Sequence, residues 1–302
     1  MGYLFLALSL IACTTKGYCG KRMGNVTKDT KDAMAVNLVR MLLCIVIGLI
    51  VIFASGDAHF MLPTLPALGT MLMSGIFTSG LVVFWLLAVN RTTYMTVEVF
   101  LMMGVLVPVL TSTFLLGESF SYKDAIGIAL LIAATLIMCY PGKNATRKKI
   151  TLVALLLLIL AGLSNGLTDL SQKLFRHVTA DSGTPASVFN FYTYVFSALT
   201  LLPLLLVLEK GRVGDAFRNA KRVISPVAIY MVVMAICLFA TSYFKTLATP
   251  YLPAAQLYPL SQGGSLILAT LMSVVLLKER LTVRSAVGIA VAFLGLLFIN
   301  VF

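Results

Sequence analysis

The chain has 302 residues, of which 60% are hydrophobic and only 11% charged, and its mean hydropathy is +1.00. A soluble domain carries roughly 25% charged residues, and too few polar side chains remain here to coat a globule of this size. The figures exclude a soluble enzyme, a nucleic-acid-binding domain and a disordered chain, and place the protein in a lipid bilayer. Its net charge of +12 would suggest nucleic acid in a soluble protein. Here the basic residues sit in short loops between apolar runs, where they read as topology signals.

A membrane-spanning helix needs about 17–25 mostly apolar residues. Ten windows qualify in chain order: 2–20, 34–55, 65–89, 94–116, 122–141, 150–173, 187–208, 224–247, 251–277 and 282–302. The first contains Leu10-Ile11-Ala12-Cys13, which fits a lipoprotein cleavage box, but Met1-Gly2-Tyr3 supplies no positive n-region, so it reads as the first membrane helix. The five cysteines, Cys13, Cys19, Cys44, Cys139 and Cys237, show no C-x-x-C spacing and read as small apolar helix residues. The loops are short, the longest polar stretches being Gly20–Asp32 and Glu209–Arg222. Loops after the odd-numbered windows, counted with the few window residues at their edges, hold 17 of the 23 Lys/Arg, and those after the even-numbered windows, counted the same way, hold 4. The odd loops are therefore expected to be cytoplasmic, with both termini extracytoplasmic.

Residues 115–129 read LLGESFSYKDAIGIA and residues 276–290 read LLKERLTVRSAVGIA, with seven of fifteen positions identical at an offset of 161. Ser112 and Ser273 match at the same offset, and Lys21 and Lys173 give a weaker echo at the ends of spans 1 and 6. The chain thus divides into two five-helix repeats, residues 1–142 and 148–302. An odd number of helices per repeat implies that the two insert in opposite orientations, an arrangement that suits alternating access.

On these residues the sequence resembles the drug/metabolite transporter superfamily in its ten-helix EamA-type branch. The Leu-Leu-x-Glu motif closes spans 4 and 9, and a Glu-x8-Gly spacing recurs as Glu118…Gly127 and Glu279…Gly288. The resemblance covers the whole chain. It implies a basket-like bundle with a central cavity lined mainly by spans 1, 3, 4, 6, 8 and 9, with spans 5 and 10 buttressing the outside, and carriage of small organic metabolites by proton coupling or exchange. The halves differ in charge: Glu98 stands where span 9 has Pro259, and Lys16 matches Thr168.

Charges inside a bilayer are costly and suggest function. Lys16 lies five residues before Lys21, about 7.5 Å from the cytoplasmic end, and Glu98 lies seven residues after Arg91, about 10 Å from the same side. At similar depth the two serve either as substrate ligand, proton carrier or gate, or as a static ion pair. Trp85, Tyr94 and Tyr243 form either an aromatic wall, which with Glu98 would suit a cation, or part of the interfacial aromatic belt. Asn165, Asp169 and Lys173 share one face of span 6, as an outer gate or as a local salt bridge with Lys173 snorkelling. In span 9, Pro259, Gly263 and Gly264 weaken the helix beside Tyr258 and Gln262, which read as substrate contacts or as part of a tight packing face. Lys245 and Arg40 read as snorkelling residues near helix ends. Glu118 and Glu279 read as local caps or pairs.

No Walker loop, metal-ligand spacing or nucleophile elbow is present, and the two histidines, His59 and His177, lie in loops. The expectation is an all-α polytopic membrane protein with ten transmembrane helices as two inverted five-helix repeats. It is not an enzyme and takes no cofactor or metal. It acts as a secondary transporter in a bacterial plasma (inner) membrane. Its cargo is a small-molecule substrate, with a preference for an organic cation or a zwitterion such as an amino acid. Its other partners are the lipid bilayer and protons as coupling ion, with no nucleic acid. An integral-membrane enzyme or a non-transporting partner subunit is the alternative.

Overall fold

The computed structural model describes residues 1–24, 30–92, 94–139, 151–208, 214, 218, 221, 224–276 and 283–300. Among these residues every regular element is helical. In chain order they are α1 (Gly2–Gly24), α2 (Thr30–Ser55), α3 (Leu65–Arg91), α4 (Tyr94–Met103), α5 (Leu106–Leu116), α6 (Tyr122–Cys139), α7 (Leu152–Val178), α8 (Ala186–Leu208), α9 (Ala228–Ala248), α10 (Ala254–Val275) and α11 (Val283–Asn300). Short 3-10 turns cover Asp57–Phe60 and Ser225–Val227.

Each expected window holds a helix, but the fourth is divided into α4 and α5. Pro108 is the cause. It lacks the N–H that would reach the Gly104 carbonyl, and Val107 donates to that oxygen instead at 3.1 Å. The amides of Gly104 and Val105 likewise reach back three residues, to Leu101 and Met102, at 3.0 Å each. Pro259, by contrast, leaves α10 continuous. It sits only six residues into α10, so the carbonyl it leaves without an amide belongs to the first turn.

Seven helical stretches among the described residues are long and apolar enough to cross a membrane: Gly2–Met23, Thr30–Ser55, Leu65–Arg91, Thr96–Leu116, Leu152–Val178, Ala186–Leu208 and Ala228–Ala248. The other three spans are shorter or more polar. α6 has 18 residues, α10 carries Gln256, Ser261, Gln262 and Ser265, and the apolar run of α11 is Ala286–Ile299.

α7 shows how the bundle is turned towards lipid. Ser164, Asn165, Thr168, Asp169, Gln172 and Lys173 repeat at helical spacing and are all buried. Leu152, Val153, Leu156, Ile159 and Leu163 on the other faces are exposed. The helix is amphipathic with its polar stripe inward, the reverse of a soluble helix, because hydrocarbon rather than water surrounds the bundle.

The main helix pairs are α3 with α7, α1 with α9, α6 with α11, α2 with α8 and α3 with α8, followed by α4 with α10, α2 with α9, α4 with α7 and α1 with α10. Counted as spans one to ten, these are 3–6, 1–8, 5–10, 2–7, 3–7, 4–9, 2–8, 4–6 and 1–9. Exchanging the first five spans for the last five maps the set onto itself.

Two glycine contacts fix the closest approaches. A Cβ at Gly166 would lie 2.2 Å from the Gly104 carbonyl oxygen, and one at Gly162 would lie 2.4 Å from the Phe100 carbonyl oxygen. The Gly162-x3-Gly166 face of α7 therefore packs backbone to backbone against the α4–α5 junction, as small-x3-small faces do in membranes.

Candidate functional site: a charged cavity at the centre of the bundle

A cavity with about 610 Å³ of empty space opens between α1, α2, α3, α4, α7, α9 and α10. Its walls are mixed in chemistry. Leu81, Val82, Trp85, Leu101, Met234 and Leu238 make the apolar part; Asn165, Thr241, Ser261, Gln262 and Ser265 are polar; Lys16, Arg40, Glu98 and Lys245 are charged.

Each charged residue arrives from a different helix. Lys16 comes from the second half of α1 and is part-exposed. Glu98 comes from the first half of α4 and is 4% exposed. The glycine contact between α4–α5 and α7 sets the depth of α4, and Asn165 donates to the Leu101 carbonyl at 3.4 Å across the same contact. Trp85 reaches the cavity from α3. Its ring lies against α1 at Gly20, where a Cβ would be 2.3 Å from ring carbon Cη2.

Lys245 and Arg40 depart from their sequence reading. Lys245 lies near the end of α9, yet it turns inward, is buried, and forms an ion pair with Asp169. The pairing has a physical reason: the Asp169 side chain is fully buried and needs a cation. Arg40 lies ten residues into α2, about 15 Å from its start at 1.5 Å per residue. Its side chain is 1% exposed, so it is packed inside the bundle and does not snorkel. Its Nη1 donates to the Met234 sulfur at 3.3 Å, while Nε and Nη2 are buried and have no hydrogen-bond partner. Each unmatched buried donor costs roughly 1–3 kcal/mol, more when charged.

The remaining expected residues are placed as follows. Asp169 pairs with Lys245 and not with Lys173, its neighbour one turn along α7. Lys173 pairs with Glu118, whose second carboxylate oxygen accepts the Ala254 amide at 2.8 Å. Glu118 therefore caps the start of α10 in the other half of the chain, a longer reach than the local role read from sequence. Gln262 lines the cavity. Tyr258, one turn earlier, is buried and donates its hydroxyl to the Asp169 carbonyl at 2.7 Å, which turns it towards α7. Tyr243 stacks on Phe239 at 5.8 Å and contacts Phe244, away from the cavity wall. Tyr94 opens α4, and its side chain lies outside the described residues, as does all of Glu279.

Sequence reasoning missed Arg40 as a cavity residue. The available signal was depth, since Arg40 stands six residues inside the window 34–55, about 9 Å from its edge and as deep as Lys16 and Glu98. No comparable signal announced the Lys245–Asp169 pair, whose members are 76 residues apart.

The family model for EamA-like transporters matches this chain twice, over residues 1–140 and 152–301. The chain belongs to the EamA-like transporter family. A solved structure described only as "Crystal structure of protein" has the same fold, with a TM-score of 0.69 over 99% of this chain and 96% of that chain at 16% identity. No curated protein matches the sequence. As an EamA-like transporter, the chain is a multi-pass membrane protein. Its cavity helices are those the resemblance implies, with α2 added through Arg40.

Proposed function

We propose that this EamA-like transporter carries a small organic metabolite by secondary active transport, with alternating access to the central cavity. The observation that carries this reading is the cavity itself, which draws lining residues from both halves and holds Lys16, Arg40, Glu98 and Lys245 at its wall. The self-matching set of helix pairs supports two five-helix repeats, residues 1–142 and 148–302, rocking against each other. In a bacterial plasma membrane the basic odd-numbered loops lie in the cytoplasm and both termini outside.

Glu98 is the central carboxylate of the cycle, binding a cationic group of the cargo or taking up and releasing a proton. At the opposite end of the bundle from the basic loops, the Lys173–Glu118 pair and the Glu118 cap tie α7 and α10 to the end of α5. Opening on that side breaks this tie. Proton coupling or exchange supplies the driving force. The cargo is an organic cation or a zwitterion such as an amino acid.

The test is substrate flux in proteoliposomes across a metabolite panel, repeated with Glu98→Gln. The wild type moves one solute class, and the variant folds at normal yield without transport. Normal transport by the variant removes Glu98 from the cycle, and no flux for any solute counts against the transporter reading.

A further inference from the structure

We propose that Arg40 is the receptor for a carboxylate group on the cargo, so that the transported solute is a carboxylate-bearing molecule and not a simple organic cation. The inference rests on the transporter reading and narrows its substrate class.

Three observations lead to it. The first is the geometry of the free guanidinium atoms. Nη1 is engaged by Met234, but Nε and Nη2 have no partner. These two nitrogens form one edge of the guanidinium plane, where their N–H bonds run parallel. That edge matches the two oxygens of a carboxylate in a bidentate hydrogen-bonded pair. A single lone donor could be filled by one carbonyl or hydroxyl; an unfilled fork calls for a planar two-oxygen acceptor.

The second is charge. The cavity wall carries three formal cations, Lys16, Arg40 and Lys245, and one carboxylate, Glu98. Asp169 behind the wall neutralises Lys245. Formal charges at the site therefore leave one positive charge over. A buried positive charge in excess disfavours a purely cationic guest and is balanced by one carboxylate.

The third is that Arg40 is held in place by its surroundings. One turn earlier on α2, Asn37 donates to the carbonyl of Val82 at 3.0 Å, which ties α2 to the cavity wall of α3. One turn later, the Cys44 thiol donates to the Ala235 carbonyl at 3.4 Å and ties α2 to α9. With both neighbouring turns fixed and Nη1 on Met234, the guanidinium is pre-oriented, which lowers the entropy lost when a carboxylate binds.

The experiment uses the full-length protein in detergent and in proteoliposomes. The probes are amino acids, the matching amino alcohols, which keep the amine and lack the carboxylate, and the matching 2-hydroxy acids, which keep the carboxylate and lack the amine. Binding is read from the rise in melting temperature with ligand concentration and transport from flux. In the wild type, carboxylate-bearing probes bind and move while amino alcohols do not. This comparison needs no variant. Arg40→Lys keeps the charge and loses the fork; it weakens carboxylate probes at least tenfold. Binding of both amino acids and 2-hydroxy acids assigns the carboxylate alone to the site, and binding of amino acids alone adds a second contact for the amine. Amino alcohols binding as well as their amino acids, or carboxylate affinity unchanged in Arg40→Lys, overturns the Arg40 assignment. Flux of cations without flux of carboxylate probes also overturns it while leaving the transporter reading intact. Absence of flux for every solute refutes the transporter reading itself.

Discussion

The contact between Gly166 and the α4–α5 junction makes a demanding prediction. A methyl at Gly166 would sit 2.2 Å from the Gly104 carbonyl oxygen and 3.0 Å from Val107 Cβ, against the 3.4 Å at which ordinary contact begins. The obstructing oxygen is backbone and has no rotamer to turn. The helices must therefore separate by about 1 Å, and overpacking of this kind costs typically 1–3 kcal/mol. Alanine recovers roughly 0.5–1 kcal/mol over glycine in a helix interior. The net expectation for Gly166→Ala is a loss of about 1 kcal/mol, or about 2 °C in melting temperature for a chain of 302 residues at roughly 2.1 cal/mol/K per residue. Transport falls as well, because α4 carries Glu98 six residues before Gly104. Gly69→Ala is the control: no atom lies within 4 Å of its added Cβ, the residue is exposed, and α3 continues through it. It should gain about 0.5–1 kcal/mol. Thermal melts of both variants in detergent decide the matter. A Gly166→Ala protein that melts at or above the wild-type temperature refutes the packing argument.

Further outcomes follow from the buried ion pairs. Lys245→Met leaves Asp169 as an uncompensated buried carboxylate and should cost about 3–5 kcal/mol, while adding Asp169→Asn recovers much of that loss; additive melting shifts for the two changes would show that the pair does not couple. Glu118→Ala removes the α10 cap and the Lys173 partner together, and a loss of about 1–2 kcal/mol is expected from the cap alone, read as a lower melting temperature. Tyr258→Phe deletes one buried hydrogen bond to the Asp169 carbonyl and should cost about 0.5–1.5 kcal/mol, with an unchanged melt arguing that water replaces the hydroxyl.

The positions of the helices were legible because a bilayer imposes its thickness on the chain: each apolar run near the required length became a span. The break at Gly104 was harder to see, since residues 94–116 are apolar throughout and hydropathy does not register a missing amide. Pro108 was the mark to read. The charged residues divide in the same manner. Lys16 and Glu98 were found because a charge in an apolar window is conspicuous in one dimension. The true partner of Asp169 was not, because sequence spacing favours Lys173 at i+4 while the partner in space, Lys245, comes from another helix. Arg40 was misread by treating a long basic side chain as able to reach the interface from any depth. Glu118 was expected to act locally, and it instead joins the end of α5 to the starts of α10 and the outer part of α7, a link that only the folded bundle reveals.

The single tryptophan of the chain, Trp85, stands on the cavity wall with its ring laid against α1. Intrinsic fluorescence from this protein therefore has one main indole source, placed where cargo must pass. Ligand entry, or a shift of α1 against α3, changes the polarity and quenching around that indole. Emission wavelength and lifetime can then follow the transport cycle in unlabelled protein, in real time, and separate occupancy of the cavity from movement of its walls.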